Sequence, residues 1–287
     1  MTKQEVIDFL LNGFVLSNLP DSFLRLQRIA NDPHSDVEDV VAVVRMDPEL
    51  AANLLKLANS SCYSTGTPVN SIEEAAQLLG MRAVVQSSLA LGIISQIDIP
   101  HEHLDLRCFW KRCVSVAVIS EKLHAKAPQF IRRIVDSNQL YTAGLLYDIG
   151  ILALIEGFPS EMVGIIDGAE LIGESIQEAE SRVMGFTHQD VGRILFKKWG
   201  LSESLQCVAG YHHDPLSLKR RIHCPIVDLV HIADYICCKR DEGTPSSLKP
   251  RMLDQVWERS GISRTAIEEI ELEVPQVFTA TEAILSL

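Results

Sequence analysis

Aromatic residues are scarce in this 287-residue chain, at 6 % of the whole. Its core must therefore come from aliphatic side chains. Strand signals are scarcer still. No sustained apolar–polar alternation occurs, and no Asn-Gly or Asp-Gly turn joins two such runs, which argues against a sheet. Positive charge is also short. Lys and Arg number 26 against 38 Asp and Glu, a formal net charge of −12. Nucleic acid and anionic membranes need clustered cations, and neither is expected as a partner. The densest basic stretch, LKRRIH from Leu218 to His223, reads as a solvated loop. The seven cysteines contain no C-x-x-C spacing, so a zinc module or a disulfide framework is not indicated. Buried free thiols in a reducing cytoplasm are the expectation.

The opening MTKQEVIDFLLNGF carries Glu5 and Asp8 and leads to no small-residue cleavage site, unlike a signal peptide. One run, Leu140 to Phe158, has nearly the length of a membrane span. It contains Asp148 and Glu156, and no aromatic or basic anchors flank it. It reads as a helix buried at the centre of a bundle, and no membrane is expected.

Abundant instead is aliphatic helical periodicity, in a chain that is 47 % hydrophobic. Asp36 and its acidic neighbours open DVEDVVAVVRM. Asp47 followed by Pro48 opens DPELAANLLKLANSS, with Leu50, Leu54 and Leu57 on one face. Ser71-x-x-Glu74 is a capping box, and Gly80 ends that helix,. A polar break with Pro100 lies between Asp98 and Leu106. Beyond it, helices are expected from Leu106 to about Lys126, Asn138 to Gly157, Ser175 to Met184, His188 to Trp199, Ser202 to His212 and Pro225 to Lys239. The expected fold is all-α in two lobes: an N-terminal helical lobe of residues 1–103, and a second helical lobe of residues 104–287 that includes a C-terminal helical extension.

One acid interrupts the most apolar run, GLLYDIGILAL, at Asp148. A buried carboxylate is costly without a partner. The polar residues punctuating the long helices are Arg112, Tyr147, His188, the His212-His213 pair and Asp234. The histidines have plainer readings, His188 as a helix cap and His212-His213 as positive charge at a helix C-terminus, whereas Asp234 shares the problem of Asp148. Together, two acids and three histidines resemble a hard or borderline metal site.

The order of these motifs resembles the HDOD family, an output-domain branch of the HD phosphohydrolase superfamily. The resemblance runs from Leu19 to Asp234. It rests on the Leu-Pro opening, the Asp-Pro-x-Leu helix, the Leu-Ala-Asn-Ser stretch and the Ser-Ile-x-x-Ala…Leu-Gly element. It implies that Asp148 is the Asp of the His-Asp pair and Asp234 the terminal Asp. His188, His212 and His213 are the intervening histidines. Two ligand positions depart from the enzyme pattern: Tyr147 stands for the paired histidine, and Arg112 falls at or beside the first. Arginine offers no lone pair to a metal.

The expected function is therefore a non-catalytic signalling or regulatory module, working through a protein partner in bacterial signal transduction. No catalytic residue, metal or cofactor is expected. Two alternatives stand beside it: a metal-dependent phosphohydrolase, or a sensor with a nucleotide or other phosphate near Arg112. Arg112 is expected to pair with Asp148 and to extend to Asp234. The loop SSCYSTGTPVN is the expected partner surface.

Overall fold

The computed structural model describes residues 2–14, 21–59, 69–94, 105–240 and 248–285. Among these the chain forms seventeen α-helices and no strand, the all-α fold expected. It divides into two compact units.

One unit comprises residues 18–98 with 278–287. Its helices are α2 (Asp21–Asn31), α3 (Val37–Arg45), α4 (Pro48–Ala58), α5 (Ile72–Leu79) and α6 (Met81–Ile94). The expected caps start them. The Asp36 side chain accepts the Glu38 and Asp39 N–H groups, and Asp39 accepts the N–H of Asp36 in return. Asp47 caps α4 through the Leu50 N–H. Ser71 caps α5 through Glu74 N–H, but the Glu74 carboxylate reaches past it to the N–H of Asn70. Gly80 then takes a φ of +80°, open to glycine at no cost,. Leu26, Val40, Val44, Leu54, Leu57 and Val84 are all buried, each worth roughly 1.5–3 kcal/mol. Asn59 closes α4: its amide donates to the Leu55 and Val69 carbonyls, and its oxygen accepts the Val69 N–H. That is a structural duty. The rest of the loop expected to meet a partner, residues 60–68, lies outside the described residues.

The other unit comprises residues 1–17 and 99–277. The division near residue 98 falls close to the expected boundary, but both chain ends are exchanged relative to it. Helix α1 (Lys3–Asn12) packs on α10 (Ile149–Gly157) and α13 (His188–Lys198). It buries Val6 and Leu10, and Lys198 Nζ donates to the Leu10 and Leu11 carbonyls. Helix α7 (Leu106–Lys126) runs against α9 (Ser137–Leu146) and α15 (Cys224–Arg240), and α13 packs on α14 (Glu203–Tyr211). The six described cysteines form no disulfide with one another, and all but Cys108 are buried. LKRRIH is indeed mostly exposed, with one short 3₁₀ turn at Arg221–His223.

The expected single helix from Asn138 to Gly157 is broken at Tyr147-Asp148, between α9 and α10. Two glycines flank the break and set how closely each half packs. A Cβ at Gly144 would lie 2.6 Å from the Ala117 Cα, so only glycine lets α9 approach α7 this closely. A Cβ at Gly150 would lie 2.0 Å from the His188 carbonyl oxygen, so only glycine lets α10 meet the start of α13. The corner between them is thereby pressed inward, and the run is buried rather than lipid-facing.

Candidate functional site

The Tyr147-Asp148 corner brings the predicted residues together. Arg112, from α7, donates from Nη2 to Asp148 Oδ2 at 2.6 Å, with side chains only 6 % and 3 % exposed. Its guanidinium also stands over the Phe109 ring at 5.7 Å. Burial opposes the charge on Arg112, but Tyr147 and Asp148 beside it hold the group above its ordinary pKa. Asp148 therefore faces a fixed cation. The pairing does not extend to Asp234 by hydrogen bond. Asp234 Oδ1 instead accepts the Tyr147 hydroxyl at 2.7 Å and the Cys238 thiol at 3.4 Å. Burial pushes the Asp234 pKa up to about 6, against the pull of Arg112 and Tyr147.

On the other side of Asp148 stand the histidines. His188 opens α13, but Thr187 is the cap: Asp190 accepts the Thr187 N–H at 3.0 Å. The His188 ring points inward. Its Nδ1 lies 2.7 Å from Glu180 Oε2, and its Nε2 lies 3.5 Å from Asp148 Oδ1. Glu180 also accepts the His188 N–H. Burial works to lower the His188 pKa, but the Glu180 carboxylate outweighs it and the net shift is upward. His212 ends α14, and its Nδ1 is 3.1 Å from both the Val208 and Ala209 carbonyls. Carbonyls only accept, so Nδ1 carries the proton. Burial pushes the His212 pKa down to about 3, which leaves Nε2 a lone pair. That nitrogen lies 3.4 Å from His188 Nε2 and 3.7 Å from Asp148 Oδ1. His213 is half-buried, its ring centroid 4.2 Å from His212 and 5.1 Å from His188. Burial, then the neighbouring histidines, hold its pKa well below the usual value.

A model of the HDOD domain matches residues 16–215. The chain belongs to the HDOD family. The match stops short of Asp234. A protein of Treponema pallidum (strain Nichols) is 25 % identical over 243 residues, which is 83 % of this chain and 45 % of that protein. The chain thus spans less than half the length of that curated relative. Three solved structures share the fold. An HDOD domain protein of unknown function from Geobacter sulfurreducens has a TM-score of 0.80 at 24 % identity, covering 98 % of this chain and 97 % of its own. A candidate signal transduction protein from Marinobacter aquaeolei VT8 has a TM-score of 0.77 at 22 % identity, covering 100 % and 61 %. A candidate phosphohydrolase from Shewanella amazonensis SB2B has a TM-score of 0.73 at 22 % identity, covering 98 % of each chain.

Within this HDOD fold the donor set still suits one cation. Asp148, His188, His212 and His213 offer ligand atoms all within 4.8 Å of one another. Ligands about 2.1 Å from a tetrahedral ion lie about 3.4 Å apart, close to the 3.4, 3.5 and 3.7 Å separations among His188, His212 and Asp148. The distal nitrogens of His188 and His212 are held by acceptors, as metal-bound imidazoles require. Of the two positions behind the expected loss of ligands, Arg112 takes Asp148 Oδ2, and the Tyr147 ring packs edge-on against His212 at 5.0 Å.

Two contributors escaped the sequence reading. Glu180 is fully buried, and its signal was its place four residues after Ile176 on the apolar face of α12 (Ile176–Met184). His231, three residues before Asp234, donates from Nδ1 to the His212 carbonyl at 2.7 Å and holds that corner.

Proposed function

We propose that this HDOD protein is a non-catalytic regulatory module of signal transduction that acts by contact with a protein partner. One observation carries the reading: the carboxylate at the centre of the HD-like site is engaged by the guanidinium of Arg112. A guanidinium supplies positive charge and cannot activate water, whereas a hydrolase of this kind needs a metal-generated hydroxide. Tyr147 replaces an imidazole and spends its hydroxyl on Asp234. The test is turnover of nucleotides, phosphomonoesters and cyclic dinucleotides, with manganese, iron or zinc added. Background rates are expected throughout. A metal-dependent rate that Asp148→Ala abolishes would overturn the reading.

The spacing of Asp148, His188, His212 and His213 favours a second reading, a phosphohydrolase with one metal. Those four groups would hold the ion, and the ion would supply Lewis acidity and lower the pKa of bound water. Elemental analysis after mild chelation separates the two readings, with no stoichiometric metal expected under the first.

A further inference from the structure

Outside the buried centre, a cleft of about 580 Å³ opens beside α12. That is room for a small organic ligand. Arg112 does not line it; His213 does, together with Arg182, Lys249 and Arg251. The two carboxylates on its wall are Glu178 and Asp214. Three fixed cations therefore face two acids, in a chain whose formal net charge is −12. With Glu174 on Arg182 the local charges balance, where the chain as a whole is strongly acidic.

The cations are also unequally committed. Arg182 pairs with Glu174, and Arg251 stands 3.7 Å from Glu178. The Asp214 carboxylate accepts the Ser217 hydroxyl. Lys249 has no hydrogen bond or ion pair among the described residues. Each arginine keeps further N–H donors beyond its single carboxylate contact. Ser181 and Thr187 add hydroxyls to the same wall, that of Thr187 already donating to Asp190. Cationic donors with adjacent hydroxyls, around a cleft of this size, match a phosphate group better than a carboxylate or an apolar ligand.

We propose that this cleft binds a phosphorylated small molecule, with the phosphate held by Lys249, Arg251 and Arg182 and the remainder against His213. This goes beyond the regulatory reading and does not depend on the buried centre being inert. It moves the ligand expected near Arg112 outward, to a place a solute can reach. His213 makes it more than a surface patch. Its ring packs on His212 and His188, so occupancy of the cleft is felt at the centre through one side chain.

The test uses the full chain with chelator present and inorganic pyrophosphate as probe, against sodium chloride of equal ionic strength. Calorimetry should show saturable binding to one site, and the His213 imidazole resonance should shift with it. Lys249→Gln and Arg251→Gln should each weaken binding about tenfold, the loss of one charge-assisted hydrogen bond. No saturable heat beyond the salt control overturns the proposal. So does pyrophosphate affinity unchanged in Lys249→Gln, which decides the matter if Arg251→Gln fails to fold.

Discussion

Two Arg–Asp pairs lie in the same unit, one fully buried and one with its arginine partly in solvent, and they are built differently. Arg259, in α16 (Asp254–Ser260), grips Asp228 of α15 with two nitrogens, Nε on Oδ2 at 2.7 Å and Nη2 on Oδ1, and Nη2 also donates to the Pro215 carbonyl. Every oxygen of that carboxylate is used. Arg112 meets Asp148 through one nitrogen and one oxygen. Arg112 Nε and Asp148 Oδ1 are left without a hydrogen bond among the described residues. The first pair is a fastener, complete in itself. The second leaves a buried oxygen turned toward two imidazole nitrogens. An unmet buried acceptor costs stability, and such local costs collect at sites kept for function.

That contrast can be broken from one side. Arg112→Ala leaves Asp148 buried with no fixed cation, and should destabilise the protein by about 3–5 kcal/mol, the usual result of halving a buried pair. Arg259→Ala should cost less, about 2–3 kcal/mol, because that guanidinium is 34 % exposed and water can take its place. Urea unfolding of both variants measures the difference. Equal losses would remove the distinction drawn between the pairs.

The acid beyond Arg112 sharpens it through pH. The Asp234 pKa is raised to about 6 from 3.8 by burial. The folded state thus binds a proton more tightly than the unfolded chain, and this group lowers stability as pH rises from about 4 through about 6. His212, lowered to about 3 from 6.5, acts in the opposite sense: its contribution is lost as pH falls below 6.5. Asp234→Asn isolates the first effect. The variant should gain on the wild type by on the order of 2 kcal/mol between pH 4 and pH 7, with no gain below pH 4. A difference in melting temperature that stays flat with pH would show Asp234 to be unstrained.

The legibility of this molecule in its sequence follows the same division. Helix starts were readable because caps are local: Asp36, Asp47 and Ser71 sit where their hydroxyls or carboxylates meet N–H groups two or three residues on. The convergence of Arg112, Asp148 and the histidines was readable because few charges can stand in apolar helices without partners. The break at Tyr147-Asp148 was not. Gly144 and Gly150 look ordinary in an apolar run, and their need comes from Ala117 and His188, which are distant in sequence. Nor was the placing of α1, whose apolar stripe names no partner. Glu180 was hidden among acids that face water.

Glu180 gives the smallest effect and the most direct view of the open side of Asp148. Its carboxylate raises the His188 pKa against the downward push of burial. A folded-state pKa above the unfolded value contributes stability that is complete below about pH 6.5 and is lost as pH rises through the folded value. Glu180→Gln keeps the shape and an oxygen to accept the His188 Nδ1 proton, but removes the charge. Burial then acts unopposed by that carboxylate, so the His188 midpoint should fall. The variant should lose about 1 kcal/mol under acidic conditions, the difference between a charged and a neutral hydrogen bond, and less above the wild-type midpoint. Proton NMR of the imidazole, with chelator present, reads the midpoint directly. An unmoved midpoint would mean that Glu180 orients His188 without charging it, and the open side of the centre would then be held by shape alone.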